Sequence, residues 1–198
     1  MPPLAVQAPR VHTTDMRWLL VVVVAAGVLA FPVTAASVDP RRFVLNEVDV
    51  PRGYLFDENN SLLVTRAQLT RVPEGESRRL VRLGFQAGYY ARYRNSDPPR
   101  WRYVASGAFV FLKSTGPRAY MPRLIKSEFV KAGVRARRVG LGDEARLYVS
   151  SSREEGSSVV WRSGRVLAWV SCSQMTNHEA LALAQARKQQ RRVARELR

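Results

Sequence analysis

Reactive side chains are few in this 198-residue chain. Beyond residue 36 the single histidine is His178, and Cys172 is the only cysteine anywhere. Catalysis by a Cys-His pair or a Ser-His-Asp triad would have to recruit His178, and the chain has no GxSxG elbow to present a serine. His178 follows Asn177 where a helix is expected to begin, a setting that suits capping or solvent exposure better than general base work. One cysteine cannot form an intramolecular disulfide, a CxxC redox motif or a cysteine-rich zinc site. Val170 and Ser171 beside it suggest a strand, in which Cys172 would be a buried and inert thiol.

Carboxylates are equally poor in pattern. Asp143-Glu144 and Glu154-Glu155 are adjacent in sequence, which does not by itself supply the spaced acid and base of glycoside hydrolysis. Glu154-Glu155 falls in an expected turn, and Asp143-Glu144 is expected to stabilise a turn or to pair with Arg137 or Arg138. Asp57, Glu58, Asn59 and Asn60 offer oxygen ligands but lack the glycine and closing glutamate of an EF-hand loop, so no metal is expected. Neither GxxxxGK[ST] nor GxGxxG occurs, and no cofactor is expected. A catalytic reading would need Asp143, Glu144 or Glu47 to meet tyrosine or arginine in a pocket. The expectation is that the chain is not an enzyme.

What is abundant is positive charge: 32 Lys and Arg against 16 Asp and Glu, a net +16. Most of it is arginine, whose planar fork matches phosphate and carboxylate in a bidentate way. Arginines interleave with rings at Tyr89, Tyr90, Arg92, Tyr93 and Arg94, and again at Arg100, Trp101, Arg102 and Tyr103. On paired strands alternate residues share a face, so several of these could form one surface that stacks on rings and holds phosphate. A core of aromatic rings with solvated arginines fits the same spacing. The second concentration lies near the C-terminus, at Arg187, Lys188, Arg191 and Arg192. Arg92, Arg94, Arg100, Arg102, Tyr93, Trp101 and these four are the candidate binding residues.

The elements that must carry these residues follow from periodicity and punctuation. Val38 to Val50 reads as a short strand before a Pro51-Arg52-Gly53 bend, and Leu62 to Val72 as a short helix. A helical stripe from Ser77 to Phe85 gives way to the strand GYYARYR, which pairs with Trp101–Lys113 across the loop Asn95–Pro99. Ser114 to Gly133 is a helix with Pro117 in its first turn. A meander follows: ARLYVSSS, SSVVWR, a two-residue turn at Ser163-Gly164, and RVLAWVSC. Thr176 and Glu179 have capping-box spacing, opening a basic C-terminal helix that runs to Arg198. This order predicts an α+β fold, a mostly antiparallel sheet with helices packed chiefly on one face.

Ahead of these elements, Trp18 to Ala36 is an apolar run preceded by Arg10 and Arg17 and ending in small residues. That is the layout of a secretory signal peptide, or of an uncleaved anchor, since a spanning helix needs roughly 17 to 25 residues. Both place residues 37–198, a single expected domain, outside the cytoplasm. Without Arg10, Arg17 and Asp15 that part keeps 30 cations and 15 anions, a net +15.

The segments GFQAGYYARY (84–93), FVFLKSTGPRAYMPRL (109–124), LGDEARLYVSS (141–151) and VVWRSGRVLAWVS (159–171), with the basic helix after them, resemble a group of small exported actinobacterial-type domains of unassigned activity. Their layout is similar to the PsbP and Mog1-like fold of some mycobacterial lipoproteins, from which this chain departs in having no lipobox cysteine. The resemblance implies a binding or assembly factor rather than an enzyme. The expected partner is an anionic envelope component, lipid head groups or wall polymer, or else another envelope protein that would meet an exposed apolar patch. Membrane contact would come through the N-terminal segment, and nucleic acid would become the leading partner only if the chain stayed inside the cell.

Overall fold

The computed structural model describes residues 38–71, 73–95, 102–130, 133–151, 156–173 and 177–198. The apolar segment 18–36, the candidates Arg100 and Trp101, Glu154-Glu155 and Thr176 lie outside the described residues. Among those described, eight strands form one antiparallel sheet in the order β1-β3-β4-β8-β7-β6-β5, with β2 also pairing β3. The strands are β1 (Leu55–Phe56), β2 (Leu62–Thr65), β3 (Phe85–Asn95), β4 (Arg102–Phe111), β5 (Val134–Arg138), β6 (Glu144–Ser150), β7 (Ser157–Ser163) and β8 (Val166–Ser173). The helices are α1 (Glu74–Arg82), α2 (Thr115–Leu124) and α3 (His178–Glu196). The class is α+β, as the sequence predicts.

Register sorts the side chains into two layers. Along β4, Val104, Ala108 and Val110 join a cluster with Phe43, Ala182, Ala186 and Val193, under α3. Their neighbours Phe109 and Phe111 join Leu80, Tyr120, Met121, Leu124 and Trp169, under α1 and α2. α3 therefore covers one face by itself, while α2 carries the chain across the other from central β4 to the far edge at β5. Gly107 is required in that second layer, because a Cβ there would stand 2.0 Å from Cζ2 of Trp169.

Three sequence expectations are corrected. Val38–Val50 contains no strand: Pro40–Phe43 is a 3-10 turn capped by Asp39, and Phe43, Val44 and Leu45 are all buried. Leu62–Val72 does not form one helix; Leu62–Thr65 pairs with Ala87–Tyr90 and a 3-10 turn follows at Ala67–Arg71. The β-branched Val64 and Thr65 suit that pairing. β5 is absent from the sequence reading: in VRARR the alternation is short and its apolar positions are only Val134 and Ala136. The β7-β8 turn lies one residue later than expected, at Gly164-Arg165, with Gly164 at φ 53°.

Candidate functional site

The cations of α3 come together with a loop that sequence reading did not connect to them. Ala182, Gln185, Ala186, Gln189 and Val193 are its buried side, at the spacing of one helical face. The alanines allow close approach to the sheet, and Gln189 fixes the position. Its Oε1 accepts from Ser106 Oγ at 2.8 Å and its Nε2 donates to the Gly107 carbonyl at 2.9 Å. Ser106 Oγ in turn accepts from the Leu45 amide at 3.0 Å, so α3, β4 and the chain before Val48 share one buried node.

That node sets the 46–49 turn beside the helix. The Asp49 carboxylate accepts from the Asn46 amide N–H at 3.1 Å and from Arg192 Nε at 3.1 Å. With its amide turned so that the nitrogen faces the carboxylate, the Asn46 side chain donates to Asp49 Oδ2 at 2.8 Å and accepts from Arg192 Nη2 at 2.6 Å, the orientation that satisfies both neighbours. Lys188 Nζ donates to the Asp49 carbonyl. Between turn and helix is an open cleft of about 430 Å³ lined by Val48, Asp49, Lys188, Arg191, Arg192 and Arg195. Four cations thus face one carboxylate, an excess of three charges, and that carboxylate is already held by Arg192. Arg192 and Lys188 serve as the wall of the cleft. Arg191 has no ion pair among the described residues, and Arg195 has only a contact of 3.7 Å to Glu196, itself shared with Arg42. Two guanidiniums one helical turn apart are placed to converge on one oxyanion. Arg195 was absent from the expected site, and Arg187, which was included, does not line the cleft.

The sheet residues divide. Arg92 and Arg94 share a face, with Arg94 opposite Tyr103 in register. The Arg92 guanidinium lies 4.6 Å over the Tyr103 ring, a cation–π arrangement. Its Nε is 3.8 Å from Asp57 Oδ2, too far for a hydrogen bond, and it is buried without a partner. Asp57 is 5% exposed and accepts two hydrogen bonds from Asn60. Tyr93 points to the opposite face, into the core, where its hydroxyl donates to the Leu45 carbonyl at 2.8 Å and burial raises its pKa. Arg102 pairs with Asn95 on that same opposite face. Arg92 and Arg94 are therefore separated from Tyr93 and Arg102 by the thickness of the sheet.

The residues considered for chemistry have structural partners. His178 Nδ1 is 2.7 Å from Ser157 Oγ, so it ties the start of α3 to β7 rather than capping the helix. Among the described residues no carboxylate orients the ring, and neighbouring Glu179 binds Arg137. Asp143 accepts from Arg162 Nη1 at 3.3 Å and from the Gly164 amide at 2.9 Å, closing the β7-β8 turn; Glu144 also binds Arg162. The expected partners Arg137 and Arg138 are thus replaced by Arg162. Among the described residues no group of three metal-capable side chains comes together, and no helix is long and apolar enough to cross a membrane.

Cys172 is 1% exposed, and burial pushes its thiol up from 9.0 to about 12. An unfolded thiol ionises near 9 while the native one stays protonated, so this group's contribution is intact below pH 9 and declines as pH rises toward 12. A disulfide exchange reagent at pH 8 is therefore expected to leave the native chain unmodified and to label it stoichiometrically in denaturant. Labelling of the native chain at the denatured rate would show the thiol to be accessible.

No protein-family model matches this chain, and no curated protein matches it. Among solved structures, the fold is similar to the extracellular domain of PknH from Mycobacterium tuberculosis, at 12% identity and a TM-score of 0.49, covering 78% of this chain and 98% of that one.

Proposed function

We propose that this chain is an exported, non-enzymatic binding domain that holds an anionic component of the cell envelope in the cleft between α3 and the 46–49 turn. The observation that carries this reading is the convergence of Lys188, Arg191, Arg192 and Arg195 on a cleft whose one carboxylate is engaged by its own wall. Lipid head groups and wall polymer both offer oxyanions of the kind that two neighbouring guanidiniums hold best. The apolar segment 18–36 supports export and, where it stays uncleaved, keeps the site near the membrane. Arg92 and Arg94 are a lesser contributor, since stacking on Tyr103 and the nearby Asp57 already engage Arg92.

The test uses the full-length chain in neutral detergent on beads coated with phosphatidylglycerol, with purified wall polymer, or with phosphatidylcholine. Retention on at least one anionic surface is expected at low salt, with most of it lost at about 0.5 M, where screening lengths fall to roughly 4 Å. Equal retention on phosphatidylcholine, or no retention on either anionic surface, would remove this reading.

A further inference from the structure

A second surface lies at the far margin of the sheet. β5 is the end strand, and among the described residues nothing pairs with its outer side. Which peptide groups face outward follows from two hydrogen bonds: Val139 N donates to the Ala145 carbonyl at 3.3 Å, and Ser151 N to the Gly133 carbonyl at 3.0 Å. In the antiparallel register Val134↔Ser150 to Arg138↔Arg146, odd-numbered residues therefore turn their backbone toward β6. Val134, Ala136 and Arg138 turn theirs outward, a row of donors and acceptors ready for another strand.

The side chains decide what can use that row. Arg135 and Arg137 project to one face and Arg138 to the other, and four of the five residues are exposed. A second copy of β5 would bring arginine against arginine, which is unfavourable. Arg138 also stands directly opposite Arg146, in a non-hydrogen-bonded pair where side chains approach most closely. Like charges so placed repel unless an anion lies between them, and no carboxylate among the described residues pairs with either. Among the described residues, Arg137 alone on this strand has an ion pair, with Glu179.

We infer that β5 is a docking edge for an extended, acidic segment of another protein. The segment adds as a ninth strand through the peptide groups of Val134, Ala136 and Arg138. Its alternating side chains place one carboxylate against Arg138, on the side away from Arg146, and another against Arg135 on the opposite face. Because both faces are basic, a contiguous run of Asp and Glu is required, not an amphipathic strand. This surface is separate from the α3 cleft and does not depend on it.

The probe is a fluorescent ten-residue peptide with a contiguous run of six glutamates flanked by threonines, measured by anisotropy against the full-length chain in neutral detergent. A peptide of the same composition N-methylated at every residue, with no N–H left on either edge to pair as a strand, is the control. The extended peptide is expected to bind and the control at least tenfold more weakly. Ala136→Pro removes an outward N–H and no bond to β6, a substitution that sheet edges tolerate. It is expected to weaken binding at least tenfold, as is Arg138→Glu, while the exposed Arg187→Glu, outside both surfaces, leaves binding unchanged. Independently of any variant, peptide is expected to slow hydrogen exchange at the Ala136 amide of the wild-type chain. No binding, equal binding of the N-methylated control, loss of binding on Arg187→Glu, or unaltered exchange at Ala136 would each overturn the docking edge.

Discussion

Replacing Trp161 by alanine is expected to lower the stability of the folded chain by about 3–5 kcal/mol, the usual cost of emptying a large aromatic site in a core. Trp161 has no exposed surface and is the largest fully buried side chain among the described residues. It lies in the layer under α3 with Ala145, Ala168, Ala182 and Ala186. Small neighbours cannot expand into the space it would leave, so little of the cavity closes. The indole Nε1 also donates to Gln190 Oε1 at 2.6 Å, and Gln190 Nε2 reaches Ser163 Oγ at 3.3 Å, so the same ring ties α3 to β7. Against a total of about 5–15 kcal/mol for a domain, such a loss is severe. Thermal melting should fall by roughly 10 °C or more. Trp161→Phe keeps most of the volume and loses the hydrogen bond, so it should cost clearly less. Equal losses for the two variants would show that the hydrogen bond, not packing, dominates.

The features legible in the sequence share one property: their burial is periodic and local. β3, β4 and the β6 to β8 meander alternate or carry β-branched and aromatic runs, and α2 and α3 keep apolar residues on one stripe. What was not legible depends on partners far along the chain. Phe43, Val44 and Leu45 are buried together because the α3 layer and the sheet enclose them, through contacts such as Leu45 to Ser106. The Leu62–Thr65 strand exists because β3 offers an edge, and β5 is so exposed that its apolar signature is limited to Val134 and Ala136.

The candidate site shows the same division. Basic residues on the terminal helix were readable as a group, but the wall that turns them into a cleft is not. Arg192 meets Asp49 across 143 positions of sequence, and nothing near Asp49 marks it as a partner. For the sheet residues the difficulty was parity. Arg92, Tyr93 and Arg94 are consecutive, so Tyr93 must face away from the two arginines whatever the register. Pairing of β3 with β4 then decides that Tyr103 joins the arginines and Arg102 does not.

That division allows the binding proposal to be tested without disturbing the fold. Arg191→Glu with Arg195→Glu is expected to reduce retention on the anionic surface at least about a hundredfold, from about 1.5 kcal/mol for each of two charge-assisted hydrogen bonds. The side chain of Arg195 is 69% exposed and Arg191 is exposed, so melting temperature should stay within a few degrees of the wild type. Arg192 is unsuitable for this purpose because its removal would strip Asp49 of its partner and loosen the 46–49 turn. Arg187→Glu makes the matched control. It changes the net charge by the same amount per residue, lies on the same helix and is exposed, yet it stands outside the cleft. If binding depended only on the overall surplus of arginine, each reversal would weaken it alike. A cleft predicts that Arg187→Glu has less than about a threefold effect, while the double variant loses nearly all retention. Parallel losses in all three positions would reduce the surplus charge to a property of composition and remove the site.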